Sequence, residues 1–200
     1  AVKSASLITS KQFALCFMKG GGIMSLGGAE PKIQKEPMTF VPLAKPGGWY
    51  TVRLLDLRMG GANDADASGS ESIGVSQATY NTGKGVIVDS GTTDTYLPTA
   101  IASQFKKLFK DLSGVTFSNA NIPLTVEQLA HMPDVVFVLQ GYDGNPFEVV
   151  MPWTSYIDKV GQGKFAFRIY LTEGSGAVLG ANFMNGYNVI FDKDQQRVGF

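Results

Sequence analysis

The chain has 200 residues, 44% of them hydrophobic, enough for one well-buried domain. Seventeen basic and seventeen acidic residues leave a formal net charge of zero, which excludes a general attraction to nucleic acid or to an anionic membrane surface and leaves a protein or peptide as the expected partner. A single cysteine, Cys16, cannot close an internal disulfide, and with His131 as the only histidine there is no ligand set for a structural zinc, so neither a metal nor a cofactor is expected.

No apolar run approaches the roughly 18 residues needed to span a bilayer, and Ala1 to Ser10 lacks a signal-peptide pattern, so the chain reads as soluble. Its start at Ala1, without an initiator methionine, suggests a processed or truncated product. The lack of disulfides mildly favours a reducing compartment without fixing one.

Glycine and proline are spread along the chain and punctuate short apolar stretches, which predicts a mainly β fold with one or two short helices. Phe13 to Met18 and Ile23 to Leu26 flank Gly20, Gly21 and Gly22, as two strands around a glycine turn would. A phosphate-cradling role for the triplet is disfavoured, because no Lys-Ser or Lys-Thr pair follows it. From Pro37 to Met59 the pattern is strand-like, and the succession Tyr50, Val52, Leu54, then Leu55 and Leu57 predicts a one-residue irregularity. Ala62 to Ser72 is small, polar and slightly acidic. It is expected to be a solvated loop, with Asp64, Asp66 and Glu71 as surface charge instead of calcium ligands.

Ile101, Phe105, Leu108, Phe109 and Leu112 fall at helical spacing with Lys106, Lys107 and Lys110 on the other side, which predicts an amphipathic helix packed on a sheet. Thr125 and Gln128 stand at capping-box spacing ahead of a shorter helical turn. Val135 to Leu139 and Phe147 to Met151, joined by a turn over Gly141 to Gly144, read as a hairpin. Phe165 to Leu171, Ala177 to Leu179 and Tyr187 to Phe191 are three further short apolar segments. His131 lies at a helix-to-strand corner without chemical partners.

The stretch from Gly85 to Pro98, GVIVDSGTTDTYLP, carries the chemistry. Three β-branched residues, Val86, Ile87 and Val88, deliver Asp89 to the end of a buried strand, where Asp89-Ser90-Gly91-Thr92-Thr93 turns the chain. An ionised group at a core edge is costly unless donors surround it, and the hydroxyls of Ser90, Thr92 and Thr93 with nearby backbone N–H groups can supply them. An ordinary Asp-Ser-Gly turn capped by its own side chain fits these five residues equally well.

Over nearly its full length, however, the chain resembles the pepsin family of aspartic proteases. Asp89 to Thr93 matches the family's Asp-Thr/Ser-Gly-Thr-Ser/Thr loop, and Leu97-Pro98 with the following helix fits the same lobe. Met132-Pro133-Asp134 resembles the family's Leu-Pro-Asp strand and Met151-Pro152 its later strand. Val178 to Met184, Tyr187 to Asp192 and Arg197 to Phe200 resemble its closing signature, in which two hydrophobic residues and a glycine thread beside the active-site loop. Phe13 to Gly28 and Trp49-Tyr50 resemble the segment where the N-terminal lobe hands over to the C-terminal one.

The resemblance implies an all-β lobe of pepsin type, with residues 1–45 as the end of the N-terminal lobe and the inter-lobe segment and 46–200 as the C-terminal catalytic lobe. It makes Asp89 a catalytic carboxylate and Ser90 a brace between two active-site loops. It has Gly91 offer backbone to the substrate, Thr92 hydrogen-bond the carboxylate and also touch substrate, and Thr93 line the groove. Ala181 departs from the aspartate that many members carry after the glycine. The implied activity is hydrolysis of a peptide bond by two carboxylates that share a proton, in acid, with hydrophobic residues preferred on both sides of the bond. The implied partners are a peptide or protein substrate and an N-terminal lobe, because no second Asp-Thr/Ser-Gly and no tyrosine-bearing flap occur here. A processed or truncated protease, a self-associating half-enzyme and a non-catalytic binding or inhibitory relative all remain open. A secretory, vacuolar, lysosomal or extracellular setting is implied by the same resemblance.

Overall fold

The computed structural model describes residues 7–18, 20–34, 36–45, 47–60 and 69–200. Strands β1 (Gln12–Met18) and β2 (Gly21–Leu26) form the expected hairpin, but it is tighter than a glycine triplet suggests. Met18 already pairs with Gly21, so Gly21 and Gly22 belong to the strand and Gly20, at φ +85°, serves the turn. Gly22 is needed for space: a Cβ there would lie 2.7 Å from the carbonyl oxygen of Cys16.

Next come β3 (Phe40–Pro42), β4 (Thr51–Val52), β5 (Leu54–Gly60), β6 (Glu71–Ser72), the short helix α1 (Gln77–Tyr80), β7 (Val86–Val88) and β8 (Thr95–Pro98). A 3-10 turn over Thr99–Ile101 leads into α2 (Ala102–Ser113), followed by β9 (Ile122–Pro123), α3 (Val126–Ala130), β10 (Asp134–Gln140) and β11 (Pro146–Met151). The chain closes with α4 (Trp153–Tyr156), β12 (Ile157–Gly161), β13 (Lys164–Phe167), β14 (Ile169–Glu173), β15 (Ala177–Leu179), α5 (Ala181–Met184), β16 (Asn188–Asp192) and β17 (Arg197–Gly199).

The strands assemble into four sheets, in the orders β2-β1-β16-β17-β3, β11-β10-β5-β6, β12-β13-β9 and β14-β8-β15-β7-β4. The mainly β architecture expected of a pepsin-type domain is what the chain adopts. The one-residue irregularity expected at Leu54–Leu55 is present as a bulge in β5: Val138 pairs with Asp56 and Leu139 with Leu54, which leaves Leu55 as the extra residue. Just before it the chain changes sheet, for β4 pairs with β7, β5 pairs with β10, and exposed Arg53 stands between them. Asn81 covers the break, accepting from the Leu54 N–H at 3.1 Å and donating to the Leu54 carbonyl at 2.8 Å.

Two expectations need correction. Glu71 and Ser72 are exposed but form a strand against β5 instead of the end of a loop, because Met59 and Arg58 offer them ladder bonds. Asp64 and Asp66 lie outside the described residues. In the predicted helix, Phe105, Leu108 and Phe109 are buried, whereas Ile101 is buried from the preceding 3-10 turn and Leu112, in the last turn, is 37% exposed. Gly114, at φ +71°, ends that helix, its N–H bonding back to the Lys110 carbonyl.

The capping box of α3 is present in both directions, Gln128 N–H to Thr125 Oγ1 and Thr125 N–H to Gln128 Oε1. The expected hairpin β10–β11 forms, with Val135 opposite Met151. The core runs from α2 through Phe109, Phe117 and Phe167 to Tyr156, whose hydroxyl donates to the Pro133 carbonyl. Among the described residues no helix is long and apolar enough to cross a membrane.

Candidate active site

Strand β7 lies inside its sheet, between β4 and β15, and Val86, Ile87 and Val88 are buried. A strand covered on both faces demands such a continuous β-branched run. Its partner β15 is parallel, with Val86 opposite Ala177, Ile87 opposite Val178 and Val88 opposite Leu179. The ladder ends where the N–H of Asp89 donates to the Leu179 carbonyl at 3.0 Å, and both chains then turn away side by side.

Both oxygens of the Asp89 carboxylate are held. The backbone N–H of Gly91 donates to Oδ1 at 2.9 Å and the hydroxyl of Thr92 donates to Oδ2 at 2.7 Å. Charge-assisted bonds of this kind offset the desolvation of a half-buried carboxylate. Gly91 gives the carboxylate room, since a Cβ there would stand 3.2 Å from Asp89 Oδ1 and push it by a few tenths of an ångström. Ser90 and Thr93 are exposed, and among the described residues their hydroxyls bond nothing, so they are not among the donors to Asp89. The sequence named three hydroxyls and nearby backbone N–H groups as candidate donors; geometry selects the Thr92 hydroxyl and the Gly91 N–H.

The loop is clamped from behind by the turn after β15. Ala181 N–H donates to the Thr92 carbonyl at 2.7 Å and Asn182 N–H to the Thr93 carbonyl at 3.0 Å. Gly180 lies so close that a Cβ would fall 2.2 Å from the Asp94 carbonyl oxygen and 2.7 Å from that of Thr92. Asn182 extends the clamp with its side chain: Oδ1 accepts from the buried hydroxyl of Thr95 at 2.7 Å, and Nδ2 donates to the Arg168 carbonyl at 2.9 Å. None of Asn182, Thr95 and Arg168 stands out in the sequence. The one signal for Asn182 was its place in the stretch Val178 to Met184, whose resemblance to the closing signature set it beside the Asp89 loop.

Several of the other described aspartates are engaged elsewhere. Asp192 is fully buried, pairs with Arg197 at 2.9 Å and accepts from Gln195 N–H. Asp134 accepts from the Trp153 N–H, and Asp158 pairs with Arg168 at 2.8 Å. The hydrogen bonds of Asn145 hold the Asp143 carboxyl below the usual carboxylate range. Burial pushes the Asp94 carboxyl up, against the opposing pull of Arg168. His131 is exposed, with Nδ1 2.8 Å from the Glu127 carbonyl at the end of α3. Among the described residues no three His, Cys, Asp or Glu side chains gather in a way that could hold a metal ion. The Asp89 loop therefore presents one carboxylate, oriented through both oxygens and open to solvent on the side of Ser90 and Gly91. Such a group can polarise or deprotonate a water, and among the described residues no acid is hydrogen-bonded to it.

A family model described as eukaryotic aspartyl protease matches residues 1–200. The chain is 29% identical over 201 residues to a protein named beta-secretase from Strongylocentrotus purpuratus, covering 90% of this chain and 35% of the relative. It is 25% identical to renin-2 of Mus musculus, covering 100% of this chain and 47% of that protein, and 25% identical to cathepsin D of Mus musculus, covering 90% and 40%. The chain spans less than half the length of these curated relatives.

Proposed function

This chain belongs to the eukaryotic aspartyl protease family, and on that premise we propose that it supplies one half of the active site of an aspartic endopeptidase, with Asp89 as one of two catalytic carboxylates. The observation that carries this reading is the Asp89 carboxylate itself, fixed through both oxygens at the end of a buried strand yet accessible from outside.

In this reading residues 46–200 are the C-terminal lobe, and residues 1–45 are the end of the N-terminal lobe with the inter-lobe segment. The second carboxylate comes from that N-terminal lobe. Two carboxylates facing each other cannot both ionise cheaply, so they share one proton in acid. The ionised member takes a proton from water while the water oxygen bonds to the scissile carbonyl carbon, whose oxygen receives a proton from the other member. The C–N bond then breaks as the amide nitrogen is protonated, regenerating the pair. Gly91 and Thr92 keep Asp89 aimed at the water. Ser90 reaches toward the opposite loop as a brace, Gly91 and Thr92 border the peptide, and Thr93 lines its groove. A secretory, lysosomal or vacuolar setting suits such an acid-active enzyme.

The test pairs native mass spectrometry of the protein from its source with a peptide-cleavage assay near acid pH, with and without a transition-state inhibitor of aspartic proteases. Inhibitor-sensitive cleavage together with a partner region carrying its own Asp-Thr/Ser-Gly supports the reading. A complete partner lobe without that aspartate, and no cleavage, supports a binding or inhibitory module instead.

A further inference from the structure

Five residues after Asp89 lies a carboxylate that the hydrolytic chemistry does not use. Asp94 is half-buried, and among the described residues nothing donates a hydrogen bond to its side chain or pairs with it. A carboxylate only partly removed from water and with no donor from the protein keeps its oxygens open to an incoming cation.

Its surroundings follow from the strand pattern. Thr95 and Leu97 on β8 are buried, so Asp94 and Tyr96 share the other face. On β14, Ile169 and Leu171 are buried, which leaves Arg168 and Tyr170 on the other face of that strand. The two strands run parallel with Ile169 opposite Thr95 and Tyr170 opposite Tyr96, bringing all four side chains onto one surface. Tyr96 and Tyr170 stack with centroids 5.0 Å apart. Asp94 is the next residue after exposed Thr93, so this surface begins at the end of the Asp89 loop.

Charge and bonding decide what the surface would accept. Arg168 is already committed: its Nε donates to Asp158 at 2.8 Å, and the Tyr170 side chain also bonds it. Glu173, farther along β14, is paired with Lys84. With Asp94, Asp158 and Glu173 set against Arg168 and Lys84, the excess charge is negative, and among the described residues Asp94 is the one of these carboxylates that no protein donor holds. The tyrosine rings beside it offer an apolar wall for a long aliphatic stem.

We propose that Asp94 is a specificity-determining residue: it accepts the ammonium or guanidinium of a substrate lysine or arginine near the scissile bond, whose stem lies along Tyr96 and Tyr170. This inference rests on the proteolytic reading for its setting. Burial raises the Asp94 carboxyl, so the site becomes anionic at a higher pH than an ordinary aspartate does, and selection for a cation strengthens as pH rises.

The experiment compares peptides that differ only in lysine, arginine or norleucine at successive positions around the cleaved bond, with the protein and its partner lobe as purified, in wild type and in Asp94→Asn. At one position the wild type favours the cationic residue by about fivefold, and Asp94→Asn brings that ratio to near one. The wild-type ratio also rises with pH through the acid range, while the peptide cations keep their charge. An unchanged ratio in Asp94→Asn, or a wild type that disfavours lysine and arginine everywhere, overturns the proposal. If nothing is cleaved, the proteolytic reading fails by itself. Fluorescence anisotropy with the same peptides on Asp89→Asn and on Asp89→Asn with Asp94→Asn then decides the cation preference by binding alone.

Discussion

Thr92 is bonded at both ends: its hydroxyl donates to Asp89 Oδ2 at 2.7 Å while its carbonyl accepts from Ala181 N–H at the same distance, so one residue ties the carboxylate to the turn after β15. Thr92→Val keeps the shape and the backbone bond but removes the hydroxyl. Losing a hydrogen bond to a charged group costs about 1.5–3 kcal/mol, so kcat/KM is expected to fall roughly ten- to a hundredfold. Thermal unfolding should change little, and steady-state kinetics beside a melting curve check both.

Gly180 admits no side chain. In Gly180→Ala the new Cβ would meet the Asp94 and Thr92 carbonyl oxygens at 2.2 and 2.7 Å, both of them backbone atoms that cannot swing aside. The variant should lose about 3 kcal/mol of stability and nearly all activity, because the Asp89 loop must shift to make room. Chemical denaturation midpoints with activity assays on the same samples test this.

The strand Val86–Val88 ending in Asp89, the amphipathic helix before Gly114, the Thr125–Gln128 capping box and the β10–β11 hairpin were legible because each is encoded by neighbours in sequence. Periodicity and capping report local structure. The parallel pairing of Val86 with Ala177 was not legible, since about ninety residues separate the strands and spacing carries no register between them. The sheet change at Arg53 was not legible either, because Tyr50, Val52 and Leu54 alternate straight across it, whereas the break at Leu54–Leu55 did report the bulge opposite Val138 and Leu139. Helices of four residues such as α1, α4 and α5 are too short to display a period. The loop motif pointed to Asp89, whereas the bracing by Asn182 and the donorless state of Asp94 depend on contacts made only once the strands assemble.

Asp94 also carries a stability signature. Its carboxyl is raised in the folded chain by burial, so the native state holds the proton more tightly than the unfolded one. That contribution is complete below the unfolded carboxylate range and is lost as pH rises through the raised native value. Asp94→Asn, which has no charge to desolvate, should therefore gain stability relative to wild type as pH increases across this window. Denaturation midpoints of the two proteins, measured from strongly acid to neutral pH, should diverge in that sense.

Phe109 packs against Phe117 and Phe167, with ring centroids 5.2 and 5.4 Å away, and is fully buried. Phe109→Ala opens a cavity where α2 meets the sheets, with an expected cost of about 3–5 kcal/mol. The chain should unfold at markedly lower denaturant, and activity under native conditions should fall only as the unfolded fraction grows.

Asp89→Asn tests the central claim most directly, as an isosteric change that keeps a hydrogen-bonding side chain and removes the carboxylate. Wild type and variant, each assembled with the partner lobe, are compared in acid for inhibitor-sensitive cleavage of a peptide library and for their melting temperatures. The account predicts that the variant binds peptide and melts as the wild type does, yet cuts nothing. Cleavage by Asp89→Asn at the wild-type rate would contradict it, as would a wild-type assembly that binds peptides and the inhibitor without cleaving any of them.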